Sequence, residues 1–356
     1  MRAESESSLI NQVIDGKYRV DELIARGDRA LVFRAEQLPL GRTVALKVLR
    51  SAGPDGGGEE FRKRFFREAN TLSRLQHPNV VAMFDYGRVE SLGDDVYYIA
   101  MEHLVGETLA ERLRVSRRIE PLAAIGIMRQ VARALRAAHG LKVIHRDLKP
   151  SNVMLAAADG EPLVKVVDFG IVKVLSEDPD QLTSAGTMLG TAEYTPPEQI
   201  EGRAVDARAD VYAFGTIFYE MLCGRTPFIG TQPDVLSQQL HKAPPPPSTV
   251  APDVPMPPEV ERFLMRCLAK NPAARPADMD EVLSALAACE GAIEALVALP
   301  PRAIAASARP PLRSEPRLSR APTRRSDPFG TVAWALFVVG MVVLALGLFR
   351  YFSTTG

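Results

Sequence analysis

The N-terminal part of the chain alternates apolar and polar positions in a way that predicts a strand, a tight turn and a return strand. The stretch IARGDRALVF at residues 24–33 carries this pattern, and the apolar run TVALKVL, with Lys47 inside it, follows at residues 43–49. Branched apolar residues favour a pleated surface. A loop that covers a phosphate would be built this way, although only one glycine, Gly27, remains in the turn.

A helix is predicted over residues 59–75, because apolar positions recur there at helical spacing on one face. These positions are Phe61, Phe65, Leu72 and Leu75. Glu68 falls on the same face, where a carboxylate needs a cation. We predict that Lys47 is that cation; the alternative is a solvated glutamate with no partner.

Polar residues are concentrated in VIHRDLKPSNVML, residues 143–155, between two apolar pairs. The polar residues are His145, Arg146, Asp147, Lys149 and Asn152. Further along, VKVVDFG places Asp168 at the end of an apolar strand, before a glycine that permits a sharp turn. Two acids and an amide are oxygen ligands that suit Mg²⁺ carrying a phosphate.

The C-terminal region has a different pattern. Residues 328–349 contain no charged side chain, and GTVAWALFVVGMVVLALGLF is long enough to cross a bilayer. We predict a transmembrane helix over residues 329–349. The alternative, a buried core helix, would be unusual because this stretch is apolar on every face.

Residues 300–327 contain six prolines and seven arginines against two acids. Such a segment cannot bury enough surface to offset its ordering entropy, so we expect a disordered tether. Basic residues beside a span stay on the cytoplasmic side. This places the body of the chain inside the cell, with residues 350–356 outside the plasma membrane.

Composition adds little that is specific. The chain has 356 residues with 43 basic and 43 acidic side chains, so no charge excess indicates a nucleic-acid partner. Its three cysteines lie far apart and lack the spacing of a zinc site or a disulfide framework. The first residues contain no apolar run, so no secretory signal is predicted.

Several motifs together resemble the signature set of protein kinases. They are VALK, the helix glutamate Glu68, HRDLKPSN, DFG and GTAEYTPPE, in family order. The LKPSN version resembles serine/threonine kinases. With a single span, the chain is similar to the membrane-tethered, eukaryotic-like (Hanks-type) serine/threonine kinases of bacteria.

The resemblance implies an α+β bilobal fold, with a small β-rich lobe that carries one regulatory helix and a larger, mostly helical lobe. A disordered linker and one transmembrane helix would follow. The expected segments are a loose lead-in at 1–17, the kinase domain at 18–288, a Pro/Arg-rich linker at 289–328, the span at 329–349 and a tail at 350–356.

The resemblance also implies roles for individual residues. Lys47, positioned by Glu68, would contact the α and β phosphates of ATP. Asp147 would orient and deprotonate the acceptor hydroxyl, and Lys149 would steady the γ phosphate. Asn152 and Asp168 would hold Mg²⁺, with Mn²⁺ as an alternative.

The adenine site would lie between the lobes. Met101 resembles the gatekeeper, and the backbone from Glu102 to Leu104 resembles the adenine-binding hinge. The residues expected to sandwich the ring are Val32, Ala45 and Met154. Ordinary core packing is the alternative for these side chains.

Two departures from the family pattern concern the lid and the PPE motif. The lid is the loop that would cover the phosphates of ATP. In the family it reads GxGxxGxV, and here those positions are Ala25, Gly27, Ala30 and Val32. We expect a stiffer lid and weaker ATP binding. Pro196 replaces the usual alanine. Three further residues should still act as in the family, with Glu198 paired to Arg275 and Asp210 bracing the catalytic loop.

The predicted function is ATP-dependent phosphorylation of serine and threonine in protein substrates. A pseudokinase that scaffolds partners at the membrane is the alternative, favoured only weakly by the lost glycines. The activation segment is the stretch between DFG and PPE. Arg146 should bind a phosphate that is placed there on Thr183, Ser184 or Thr187. Thr191 would shape the acceptor site. Phosphorylation in trans, through a transient homodimer, would follow from the membrane anchor.

Overall fold

The order of elements follows from a change in sequence pattern near residue 109. The computed structural model describes residues 9–27, 30–50, 58–89, 96–157, 162–170 and 192–298. Before residue 109 these residues form strands and one long helix, and afterwards they form mainly helices. The predicted bilobal α+β arrangement is therefore confirmed.

The smaller lobe is built on a six-stranded sheet whose neighbouring strands are antiparallel. Its strands are β1 (Val13–Ile14), β2 (Tyr18–Arg26), β3 (Ala30–Gln37), β4 (Arg42–Arg50), β5 (Met83–Arg88) and β6 (Val96–Glu102), in the spatial order β1-β2-β3-β4-β6-β5. Alternating residues such as Phe33, Leu46 and Val48 are fully buried on one face. That face forms a core of its own.

Helix α1 (Gly58–Ser73) packs on the opposite face of the sheet. The rings of Phe61 and Phe65 lie 5.2 and 4.8 Å from the ring of Tyr97 on β6. Burial of an aromatic side chain such as Phe65 contributes about 1.5–3 kcal/mol. The predicted apolar face of this helix is confirmed.

The larger lobe contains a small three-stranded sheet, ordered β7-β8-β9, and is otherwise mainly helical. The strands are β7 (Gly106–Thr108), β8 (Val153–Ala156) and β9 (Leu163–Val166). The helices are α2 (Leu109–Ser116), α3 (Pro121–Gly140), α4 (Pro197–Ile200), α5 (Arg208–Cys223), α6 (Gln232–His241), α7 (Pro247–Val250), α8 (Pro258–Cys267) and α9 (Met279–Ala298).

Helix α5 forms the centre of this lobe and is buried along nearly all of its length. Gly215 permits this packing, since a Cβ there would lie only 2.5 Å from the Cβ of Cys267 on α8. Gly224 ends the helix with φ +75, a conformation that glycine adopts without strain. The helix thereby supplies a rigid base for the loops above it.

The two lobes are joined by backbone and side-chain hydrogen bonds around Asn79. The Val166 amide donates to the Asn79 carbonyl at 2.8 Å, and the Val81 amide donates to the Val166 carbonyl at 3.1 Å. The buried Asn79 amide also donates to the Val164 carbonyl at 2.9 Å. The segment before β5 is thus tied to β9, which leads directly to Asp168.

The segments that flank the predicted kinase domain are more ordered than the sequence predicts. Residues 9–17 are not loose, because Leu9 and Ile14 are buried and Val13 pairs with Arg19. At the other edge, helix α9 covers residues 289–298 of the predicted linker, and Cys289 is buried against the core.

The rest of the predicted linker, the predicted span at 329–349 and the tail lie outside the described residues. Among the helices that the structure describes, none is both long and apolar enough to cross a bilayer.

Candidate active site

The catalytic loop brings Asp147, Lys149 and Asn152 together, as the sequence predicts. The Lys149 ammonium lies 3.0 Å from Oδ2 of Asp147. The side-chain amide of Asn152 donates to the Asp147 carbonyl at 2.8 Å. Because Asn152 is buried directly before β8, this bond ties the loop to the start of that strand.

Asp210, at the beginning of α5, holds the same loop from below. Its carboxylate accepts hydrogen bonds from the backbone amides of His145 at 2.8 Å and Arg146 at 3.0 Å. The carboxylate is 1% exposed, so these charge-assisted bonds are formed away from water. The structure shows the predicted bracing by Asp210. Arg146 has φ +62, a strained conformation for an arginine that such bonds can maintain.

His145 is fully buried beneath the loop, and burial lowers its pKa. Its Nε2 lies 3.0 Å from the Val167 carbonyl, and its Nδ1 lies 3.3 Å from the Asp147 amide nitrogen. A neutral ring protonated on Nε2 satisfies both contacts, since it donates to the carbonyl and accepts from the amide. The ring also packs 4.7 Å from the Phe169 ring.

Asp168 lies at the turn after β9 and has φ +58, in the left-handed region. The glycine of the DFG motif serves a different purpose from the one predicted. A Cβ at Gly170 would lie 2.7 Å from the His145 carbonyl oxygen, whereas no positive φ is found at this glycine. Close approach to the catalytic loop, and not a left-handed turn, therefore requires glycine here.

The predicted ion pair between Lys47 and Glu68 is not formed. Instead, the Lys47 ammonium lies 2.7 Å from Oδ1 of Asp168. The Glu68 carboxylate accepts from its neighbour Arg67 at 3.1 Å. The face of α1 is as predicted, but the direction of a helix face does not determine how far the helix lies from β4. The predicted partner of Lys47 is therefore wrong.

One face of the small-lobe sheet gathers most of the predicted nucleotide-binding side chains. Ala45 and Lys47 share that face because they are two residues apart on β4. Val32 is the cross-strand partner of Lys47 on β3, and Met101 is the cross-strand partner of Ala45 on β6. Met154 belongs to the other sheet, where it pairs with Thr108.

The predicted hinge follows Met101 directly. The Glu102 amide donates to the Ala82 carbonyl at 2.9 Å, and the Glu102 carboxylate accepts from Lys165 at 2.8 Å. Leu104 is half-buried. The first hinge residue is thus held through its backbone by Ala82 and through its side chain by Lys165 on β9.

The lid strands remain paired through both alanine positions. Ala25 is exposed and pairs with Val32, and Ala30 is 7% exposed and belongs to the core. Gly27 does not have a positive φ, and a Cβ there would meet only the Ala30 carbonyl, at 3.5 Å. Residues 28 and 29 lie outside the described residues. The conformational freedom that we expected of Gly27 is therefore not used in this structure.

The predicted buried ion pair is formed in full. Glu198 and Arg275 are joined by two hydrogen bonds of 2.6 and 2.8 Å, and both side chains are almost completely buried. Pro196 caps the short helix α4 that carries Glu198, so proline is compatible with this motif.

Two charged contacts of the site were not predicted. His139, at the end of α3, lies 2.8 Å from the Asp210 carboxylate, and no local pattern indicates this. Lys165, by contrast, is a lysine within the apolar strand VKVV, a signal that a carboxylate must lie nearby, and the structure shows that it is Glu102. The predicted phosphorylation sites Thr183, Ser184 and Thr187, and also Thr191, lie outside the described residues.

The oxygen atoms at the predicted metal site fit a hard cation. Because Asn152 donates from Nδ2, its Oδ1 remains as an acceptor beside the catalytic loop. Within the described ranges, no cluster of three or more His, Cys, Asp or Glu side chains forms a complete cage. Mg²⁺ is typically held by one or two carboxylates together with substrate phosphates, which agrees with this small donor set.

Comparison with known proteins agrees with this geometry. The sequence matches the family described as protein kinase domain over residues 18–286. Serine/threonine-protein kinase pkn3 of Myxococcus xanthus is 40% identical over 294 residues, which cover 82% of this chain and 53% of that protein. PknB of Mycobacterium tuberculosis is 36% identical over 263 residues, covering 74% and 41%.

A solved structure is similar as well. The crystal structure of the PknI kinase domain of Mycobacterium tuberculosis gives a TM-score of 0.60 at 26% identity, covering 78% of this chain and 98% of that one. The chain spans about half or less of the length of the curated relatives above. By its motifs, fold and sequence, the chain belongs to the protein kinase family, and the relatives that it resembles are bacterial serine/threonine kinases.

Proposed function

We propose that the chain is an ATP-dependent serine/threonine protein kinase. The observation that carries this proposal is the catalytic loop, in which Lys149 and Asn152 both contact Asp147 and Asp210 holds the backbone from a buried position. A scaffold has no physical need for this charged arrangement. The relatives' serine/threonine specificity and the intact motifs support the same proposal.

Asp147 acts on the acceptor. Its carboxylate would orient the incoming hydroxyl and accept its proton as the new oxygen–phosphorus bond forms and the bond between the γ phosphorus and the leaving ADP oxygen breaks. Lys149, 3.0 Å away, lies where its charge offsets that of the transferred phosphoryl group. Phosphoryl transfer depends on positioning and electrostatic stabilisation more than on covalent chemistry, and these two side chains provide both.

ATP binds on the sheet face that carries Val32, Ala45 and Lys47, with its adenine against the hinge. Mg²⁺, or Mn²⁺ in its place, would be held by Asn152 and Asp168 and would neutralise phosphate charge. Lys47 engages Asp168 in this structure, so the lysine must exchange partners before it can contact the phosphates with Glu68 behind it.

The proposal is tested with the full chain in membranes or detergent, γ-labelled ATP and a mixed Ser/Thr peptide library. Label should appear on serine and threonine, and Lys47→Met should abolish it. Lys63→Met, at an exposed lysine on α1, is the matched control and should leave labelling unchanged. Mg²⁺-dependent ATP binding without any transfer would establish the pseudokinase alternative instead.

Activation-segment phosphorylation is the second part of the proposal. Thr183, Ser184 and Thr187 are the candidate sites, and a phosphate there would pair with Arg146 by charge-assisted hydrogen bonds. Mass spectrometry of active protein should find phosphate on at least one of them. Active protein without phosphate at all three would rule out this mechanism.

Membrane anchoring is the third part, supported by the uncharged stretch at residues 329–349. We place the chain as a single-pass protein of the plasma membrane with its kinase domain cytoplasmic, which concentrates one copy near another and favours transfer in trans. Replacing residues 329–349 by an unrelated span should preserve phosphorylation at low expression, and deleting them should reduce it. Equal phosphorylation of both forms would contradict the anchor's role.

A further inference from the structure

Three side chains of the larger lobe, two of them buried and the third half-buried, form a chain of hydrogen bonds that ends on the backbone beside the catalytic loop. Lys270, which follows α8, donates to the Tyr212 hydroxyl at 3.2 Å. That hydroxyl donates to Oε1 of Gln239 on α6. The Gln239 amide nitrogen donates to the carbonyls of Ala192 at 3.3 Å and Glu193 at 2.5 Å.

The direction of every bond in this chain follows from donor and acceptor chemistry. Two carbonyl oxygens face the Gln239 amide, so its nitrogen must point toward them and its oxygen toward Tyr212. The tyrosine hydroxyl must then donate to that oxygen, and its lone pairs accept from Lys270, because an ammonium group only donates. Each group thereby fixes the orientation of the next.

The inner part of this chain is shielded from water, which makes the bond between Tyr212 and Gln239 costly to lose. Tyr212 is fully buried and Gln239 is 1% exposed. The Lys270 ammonium also lies 4.2 Å from the Phe228 ring. Burial lowers the pKa of Lys270 to about 8, so at pH 7 the side chain remains mainly an ammonium donor.

The backbone held by Gln239 lies where a protein substrate must approach. Tyr194, Thr195 and Pro196 line one small cavity together with Arg146 and Asp147. A hydroxyl on a protein substrate that reaches Asp147 therefore passes the segment 192–196. Lys47 and the nucleotide-binding sheet face lie in the smaller lobe.

We propose that Gln239, oriented through Tyr212 and Lys270, is a positioning residue for the protein substrate: it holds segment 192–196 in the conformation that presents the acceptor to Asp147. This inference rests on the proposed kinase activity. It assigns to Tyr212, Gln239 and Lys270 an effect on acceptor binding and not on ATP binding.

The test compares Tyr212→Phe, Gln239→Met and Lys270→Met with the wild-type full chain, using one peptide substrate from the library. Each variant should raise the KM for peptide about three- to tenfold, which corresponds to one lost hydrogen bond, with the KM for ATP unchanged. Lys270→Arg, which keeps the donors, should restore the wild-type value. Gln238→Met is the matched control: it removes a neighbouring side-chain amide that donates to the Ile229 carbonyl and keeps the backbone carbonyl that accepts from Lys270.

A double variant separates a chain of bonds from independent packing effects. Tyr212→Phe combined with Gln239→Met should raise the peptide KM no more than Gln239→Met alone, because both act through one path. The proposal would be overturned if the two substitutions multiplied each other's effects on the peptide KM. It would also be overturned if all three single variants kept the wild-type peptide KM, or if the KM for ATP rose as much as the KM for peptide.

Amide hydrogen exchange provides a readout that does not depend on activity. The backbone amides of residues 192–195 should exchange faster in Tyr212→Phe than in the wild type or in Gln238→Met. Unchanged exchange would overturn the positioning proposal even if the kinase proposal holds. Absence of phosphoryl transfer by the wild type, with faster exchange in the variant, would contradict the kinase proposal alone.

Discussion

The ammonium group of Lys47 lies 2.7 Å from the carboxylate of Asp168, although α1 presents Glu68 on the face turned toward the sheet. Lys47 is only 13% exposed, so it needs an acid partner wherever the helix lies. Two carboxylates therefore compete for one lysine. We expect nucleotide binding to shift the lysine from Asp168 to Glu68.

The competition predicts opposite effects for two variants of α1. Glu68→Gln should lower kcat/KM for ATP by about tenfold or more, equivalent to about 1.4 kcal/mol. Arg67→Ala should raise it by up to about fivefold, since exposed pairs such as Arg67–Glu68 contribute only about 0.2–1 kcal/mol.

Steady-state kinetics at varied ATP measures both effects. Arg62→Ala, which removes another arginine from the same helix, is the control and should change nothing. Wild-type kinetics in Glu68→Gln would show that Lys47 never exchanges partners.

The two alanines of the lid predict that glycine substitutions change the affinity for ATP. Ala25→Gly combined with Ala30→Gly should lower the KM for ATP without much change in kcat, because both backbones gain freedom to approach phosphate. The same change should destabilise the paired strands by about 0.5–1 kcal/mol per site. Kinetics and thermal unfolding together test this; an unchanged or higher KM would show that the alanines cause no strain.

The buried pair between Glu198 and Arg275 predicts a large effect on stability. Glu198→Gln should reduce the free energy of unfolding by about 3–5 kcal/mol, because the arginine would keep a buried charge without its acid. Denaturant unfolding measures the change. Glu201→Gln, at an exposed glutamate three residues away, should cost less than about 0.5 kcal/mol. A similarly small loss in Glu198→Gln would mean that the site relaxes and admits water.

The burial of His145 predicts that the free energy of unfolding depends on pH. Its folded-state pKa is lowered by burial, so below about pH 6.5 the unfolded chain binds a proton that the folded chain excludes. The free energy of unfolding should therefore fall as pH drops below about 6.5, by at most about 1.4 kcal/mol per unit for this group.

His145→Gln should flatten that slope, and His241→Gln, at an exposed histidine, should not. Unfolding curves between pH 5 and 7.5 give the comparison. Equal slopes in the wild type and in His145→Gln would show that this ring takes up a proton while the protein is folded.

Periodicity and motif order are sufficient to predict the lobes, the face of α1, the residues of the catalytic loop and the pair between Glu198 and Arg275. These features depend on local spacing, or on buried charges for which few residues of opposite charge are available. The sequence does not predict the partner of Lys47, because the gap between α1 and β4 depends on tertiary packing. It also misses Gln239, whose partners lie on two elements far from it in the sequence.

The proposed role of Asp147 is the centre of this account, and one rate constant tests it most directly. With ATP binding measured separately to show that the nucleotide site is intact, kcat for peptide phosphorylation is compared between wild type, Asp147→Asn and the exposed-site control Asp280→Asn. We predict a loss of about 10²–10⁴-fold in Asp147→Asn alone, the usual contribution of a positioned general base. A wild-type kcat in Asp147→Asn would contradict the account.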